Sequence, residues 1–153
     1  MRKIILASSS IHRKKLLKQI KLKFTAISPD IDESRIKNEP VNKFVRRLSI
    51  EKAMKIAVLK KNSIVIGSDE IAVVDNKILG KPLSKKVAQE QLKFISGKKI
   101  VFKTGICVID TNTMKKFASV VNYDIKMKKL SKKIIDNYIK KEDMLNCAAS
   151  IRI

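Results

Sequence analysis

The sequence predicts an α/β fold, and three observations support that reading. Apolar runs rich in β-branched residues stand at 3–7, 23–28, 63–75, 100–110 and 116–126, as buried strands require. Helical segments at 11–20, 41–59, 84–95 and 131–141 alternate with most of them. Residues that start helices stand where these segments open: Ser10, Pro40, Ser84 and Ser131. With 153 residues, 44% of them hydrophobic, the chain suits one folded domain over 1–153 with a sizeable core. No repeat, low-complexity segment or linker interrupts it.

The opening strand leads into Ser8-Ser9-Ser10 and then a helix. Strand, small polar loop and helix start together make an anion site, because free backbone N–H groups and the helix dipole both favour a phosphate. Arg13 precedes Leu16, Leu17 and Ile20 by three, four and seven residues, on or beside the inward face. It either grips a phosphate or lies along the surface with its stem on apolar neighbours, and the two readings weigh equally. After the second strand, Pro29-Asp30-Ile31-Asp32-Glu33 holds three carboxylates. Such a loop is ordinarily just solvated, and it can also offer oxygen to Mg²⁺. In the long helix, Lys52 falls on the apolar stripe between Leu48 and Ile56. It either snorkels outward, the commoner outcome, or meets an anion, and the carboxylate strand that follows makes an anion partner reasonable.

Those carboxylates lie in the stretch that organises the chain, 63–75. An apolar run breaks at Gly67-Ser68, presents Asp69 and Glu70, then resumes. An ionised carboxylate is not buried without a partner, so both are expected at a strand end, over a cleft, facing cations. Asn76-Lys77 reads as the two-residue turn of a hairpin, and Gly80-Lys81-Pro82 leads out of it. The last two strands read as antiparallel neighbours.

Formal net charge is +21. That balance suits nucleic acid, an anionic membrane or a phosphorylated small molecule. Most cations are Lys spread along the chain, aromatics are 5% and Trp is absent, so the marks of nucleic-acid readout are missing. Compositional drift accounts for most of the charge. Cys107 and Cys147 form no CxxC, which argues against a zinc site or disulfide framework. The single histidine, His12, excludes multi-His metal sites and argues against a Ser-His nucleophile. The apolar run after Met1-Arg2-Lys3 is too short for a signal peptide, and no run has the length of a membrane span. The cytoplasm is the expected location.

Five stretches together resemble the Maf family of nucleoside triphosphate pyrophosphatases. They are Ile4 to Arg13, Ser28-Pro29-Asp30-Ile31-Asp32-Glu33, Leu48-Ser49-Ile50-Glu51-Lys52-Ala53, Ile66-Gly67-Ser68-Asp69-Glu70 and Gly80-Lys81-Pro82. Each is weak alone; in this order and spacing they are specific. Ser68-Asp69-Glu70 and the segment from Asn137-Tyr138 to Ala148 look most like the 7-methyl-GTP branch. The resemblance implies a mixed sheet in a two-lobed fold, similar to the ITPases, around a central cleft. It implies hydrolysis between the α- and β-phosphates of a nucleotide, giving a monophosphate and pyrophosphate, with a divalent metal cation, Mg²⁺ or Mn²⁺. Asp69 matches the proton acceptor of the family. Ser8, Arg13, Glu33, Lys52 and Lys81 match the polar set that binds substrate, and His12 and Glu70 match positions that distinguish substrates. Asp69 and Glu33 are the natural metal ligands. The implied partner is a nucleotide, with no membrane or nucleic acid, and with room for a homodimer.

The chain also departs from the family pattern. Ile11 replaces a usual Pro, Ala149 a usual Gly, and Glu70 a usual Gln. An ionised Glu only accepts hydrogen bonds, so Glu70 either suits a cationic methylated guanine or is drift, with drift slightly favoured. Family members continue with further strands and a terminal helix where this chain stops at Ile153, so a C-terminal truncation is expected. The alternatives to an active enzyme are an inactive remnant of it and a basic nucleic-acid-binding protein without catalysis.

Overall fold

Alternating elements form much as expected in a computed structural model that describes residues 2–152. Met1 and Ile153, the ends of the expected domain, lie outside the described residues. The order is β1 (Lys3–Ala7), α1 (Ile11–Gln19), β2 (Thr25–Ile27), α2 (Val41–Ala57), β3 (Ser63–Val74), β4 (Lys77–Leu79), α3 (Lys85–Ile95), β5 (Lys99–Asp110), β6 (Lys116–Lys126) and α4 (Lys132–Lys141). A single 3₁₀ turn follows at Ala148–Ser150. The strands hydrogen-bond in the order β2-β1-β3-β5-β6, with β4 paired to β3. β1 runs parallel to both β2 and β3, whereas β4 is antiparallel to β3. The protein is therefore mixed α/β, as the sequence predicts.

The chain forms two compact units, Met1–Asp69 with Thr104–Val121, and Glu70–Lys103 with Asn122–Ile153. In the first, α2 lays Ala53, Ile56 and Ala57 on Ile5, Ala7, Val65, Cys107 and Ile109, all buried. Helix and sheet approach at backbone distance. A Cβ on Gly67 would lie 2.3 Å from the Ser49 carbonyl oxygen, and one on Gly105 would lie 2.4 Å from that of Val45. This corrects the expected break at Gly67-Ser68: β3 runs unbroken from Ser63 to Val74. Gly67 does not end a strand. It removes a side chain that α2 would otherwise strike.

The second unit buries Ala72, Val74, Leu92, Ile95, Ile100, Phe102 and Ile135 together. Ser84 and Ser131 cap α3 and α4, accepting from the Val87 and Ile134 amides. The β3–β4 hairpin turns one residue earlier than expected. Val74 faces Lys77, so Asp75-Asn76 form the turn, with φ of 47° and 63°. A two-residue turn with both φ positive matches strand twist, and Asp and Asn tolerate that conformation better than Lys. Ala149, where glycine was expected, has φ 54° and is fully buried.

Candidate active site

β1 and β2 end side by side along β3, and all three run parallel. Ala7 of β1 pairs with Ile27 of β2 on one side and Gly67 of β3 on the other. The chain therefore delivers Ser8, Ser28 and Ser68 to the same edge, the carboxyl ends of parallel strands, where α/β folds place ligands. A cavity of about 320 Å³ opens there, lined by Ser8, Ser9, Ser28, the loop from Pro29 to Glu33, and Lys52.

β3 continues past its partner β1, and this places Asp69. The expectation that both carboxylates end a strand is corrected: each lies inside β3. Asp69 is nonetheless two residues beyond the last position paired with β1. It is buried, at 6% exposure, because it has the partner its burial requires. Lys52 Nζ donates to Asp69 Oδ1 at 2.6 Å and lies 2.8 Å from Glu33 Oε1. Lys52 itself is 4% exposed, so the anion-meeting alternative holds and the side chain does not snorkel. One ammonium thus joins a buried aspartate on a strand to a solvent-facing glutamate on the cavity loop.

The Ser8–Ser10 loop is pre-shaped in the same way. Ser8 is buried, and its Oγ accepts from the Ser10 amide at 3.1 Å and from Arg13 Nη1 at 3.3 Å. Ser10 caps α1, accepting from the Arg13 amide. Arg13 is half-buried and turned onto this loop, which favours the phosphate-facing reading over the surface one. His12 lies beside it in the first turn, also half-buried. The structure so brings Ser8, Arg13, Glu33, Lys52 and Asp69 to one edge of the first unit. Glu70 and Lys81 belong to the second unit, and both are exposed. There they act electrostatically on the Cys147 thiol, whose pKa is raised chiefly by burial and then by Asp143.

Glu33 and Asp69 converge on a single cation, Lys52 Nζ, so the space between them accepts positive charge. Carboxylate oxygens are the donors that Mg²⁺ and Mn²⁺ select. Among the described residues no three His, Cys, Asp or Glu side chains gather into a metal site.

Arg47 is the residue the sequence reading missed. It clamps Glu39 through two parallel bonds, Nε to Oε1 at 2.8 Å and Nη2 to Oε2 at 2.9 Å. Its Nη2 also reaches the Ser34 carbonyl at 3.0 Å, and Nη1 binds Glu51. The Glu51 contact is legible as an i, i+4 pair; the link to Ser34 and Glu39 is not, because it crosses a loop.

The class of protein follows from this arrangement: a mixed α/β fold with a serine loop and a lysine-bridged carboxylate pair at its parallel strand ends. The fold is similar to that of the Staphylococcus aureus Ham1 protein, with a TM-score of 0.54, 17% identity, and coverage of 82% of this chain and 71% of that one. The family model described as Maf-like protein matches residues 3–153, and the chain belongs to the Maf family. Over 150 residues it is 41% identical to a 7-methyl-GTP pyrophosphatase of Aliivibrio fischeri, covering 98% of this chain and 78% of that protein. A protein of the same name from Pseudoalteromonas atlantica is 41% identical, with 98% and 77% covered. One from Pseudomonas syringae pv. syringae is 39% identical, with 99% and 79% covered. Among the described residues, no helix is long and apolar enough to cross a membrane.

Proposed function

We propose that the protein is a nucleoside triphosphate pyrophosphatase acting on 7-methyl-GTP, yielding the monophosphate and pyrophosphate. The observation that carries this reading is the buried Asp69, joined through Lys52 to the rim of an anion-ready cavity. Family membership and the names of the relatives support the substrate.

The chain's own groups divide the work. The Ser8–Ser10 amides and Arg13 bind phosphate oxygens, at a helix start that favours negative charge. Lys52 engages Asp69 through Oδ1, which fixes the carboxylate and leaves Oδ2 to take a proton from water. The water oxygen forms a bond to the α-phosphorus as the bridging α–β bond breaks. The pyrophosphate leaves with the bridging oxygen, and the water's proton rests on Asp69. Glu33 would hold a divalent cation, which when bound would offset charge developing on the phosphate oxygens; Asp69 would share it only in place of its bond to Lys52. By the family match alone, Lys81 is proposed as a further cation for phosphate, and His12 and Glu70 as residues that select the base.

The test is a screen of nucleoside triphosphates for pyrophosphate release with Mg²⁺ or Mn²⁺. The expected result is release from 7-methyl-GTP ahead of unmodified nucleotides, reduced at least about 100-fold in Asp69→Asn. Wild-type protein no faster than Asp69→Asn would sink the reading.

A further inference from the structure

The segment 28–39 lines the cavity, yet it contains no helix or strand. Asp30 and Asn38 within it hold positive φ. A loop of this kind keeps a fixed course only where bonds to a rigid element hold it. Two side chains of α2 supply such bonds, Lys52 to Glu33 and Arg47 to Ser34 and Glu39. Ser34 is the residue immediately after Glu33.

We infer that Arg47 is a positioning residue for the site: it fixes the loop at 34 and 39, and so aims Glu33 at Lys52. Three observations support the assignment. All of the Arg47 guanidinium nitrogens are committed, to Glu39, Glu51 and the Ser34 carbonyl, so no edge is left for a phosphate. Arg47 is not among the residues that line the cavity, so its effect on the site runs through the loop. Glu39, which Arg47 clamps, is also the loop's own hub: its carboxylate accepts from the Ile36 amide, and its carbonyl accepts from Arg35. The guanidinium lies 5.6 Å from the centre of the Phe44 ring, which restrains the arginine in turn. The fork geometry matters, because a lysine at 47 keeps the charge but cannot grip Glu39 at two points while reaching Ser34.

The functional side of this inference rests on the proposed pyrophosphatase reading, so its test has an arm that does not. Hydrogen exchange of amides 30–39 in the protein without nucleotide reads the loop directly. Arg47→Lys is expected to speed exchange there about 10-fold or more while α2 and the strands stay protected. In pyrophosphate release, the same variant is expected to raise KM about 10-fold with kcat within about threefold, since the lost aim weakens binding more than the chemical step. Glu51→Ala, which removes only the contact within α2, is expected to change neither. Unchanged loop exchange in both Arg47→Lys and Arg47→Ala would overturn the inference whatever the activity. Faster loop exchange with unchanged KM and kcat would overturn the aiming of Glu33. Wild-type protein without activity, but with loop exchange that responds to Arg47, would count against the pyrophosphatase reading alone.

Discussion

Lys52 Nζ and Asp69 Oδ1 stand 2.6 Å apart, on side chains that are 5% and 8% exposed. An ion pair this far from water contributes less than its Coulomb energy suggests, because both charges lost their hydration to form it. Removing one partner is a different matter, since the survivor stays buried and unmatched. Lys52→Met is expected to destabilise the protein by about 3–5 kcal/mol, read from urea unfolding. The double variant Lys52→Met/Asp69→Leu is expected to recover to within about 1–2 kcal/mol of wild type. Glu33 complicates neither result, because its side chain is 55% exposed and returns to solvent. The net contribution of the pair to stability is therefore expected to be small.

The same strand carries a steric prediction. Gly67 lets β3 meet α2 so closely that a methyl group there would lie 2.6 Å from the Ala53 amide nitrogen and 2.3 Å from the Ser49 carbonyl oxygen. Those atoms are helix backbone and cannot step aside as a side-chain tip does. Gly67→Ala is expected to cost about 3 kcal/mol, at the upper end for overpacking, with Gly105→Ala similar. Gly80→Ala serves as the comparison: nothing lies within 4 Å of its added carbon, and a change within about 0.5 kcal/mol is expected. Thermal or urea unfolding of the three variants checks the order.

Much of this was legible in the residues, for identifiable reasons. Helix starts at Ser10, Ser84 and Ser131 are local chemistry, and each serine caps as its position implies. Lys52 announced itself by interrupting an apolar stripe, and a charge there needs a partner wherever the fold finds one. The course of β3 was not legible. A glycine inside an apolar run signals either a break or a close approach, and only the position of α2 decides between them. Arg47 was hidden for a related reason: its partners Ser34 and Glu39 lie across a loop whose path no periodicity encodes.

The hairpin offers a stabilising change. Asp75 and Asn76 both hold positive φ, at 47° and 63°, the pattern of a type I′ turn. Glycine occupies the second position of such turns without steric cost, whereas even asparagine is mildly strained there. Asn76 is exposed, so its side chain gives up no packing. Asn76→Gly is expected to raise stability by about 0.5 kcal/mol, because the relieved left-handed strain outweighs the added freedom of the unfolded chain. Asp75 should be left in place, because its Oδ2 lies 2.8 Å from Lys98 Nζ. A lowered unfolding midpoint in Asn76→Gly would mean that this turn has a different geometry.

Acid should open the cavity loop from its anchored ends. Asp32 is held below its ordinary pKa of 3.8, first by the Ser34 amide and then by the Ser34 hydroxyl. Glu39 is held below its ordinary 4.5, first by the Arg47 guanidinium. Both groups bind protons less readily folded than unfolded, so each favours the folded loop above its ordinary pKa. That contribution is lost as the pH falls through the lowered folded values, while Arg47, whose pKa is raised chiefly by Glu39, stays charged throughout. Below pH 4.5 the clamp is therefore expected to release progressively, with Arg47 keeping its charge and losing its partner. The Arg47 Nε–H resonance, followed from about pH 6 down to about pH 2.5, should move with the protonation of Glu39. In Glu39→Gln that movement should vanish, and the loop amides should exchange quickly already at neutral pH. An Arg47 signal unmoved across the range in wild type would show that the guanidinium takes its order from Glu51 and Phe44, not from the loop.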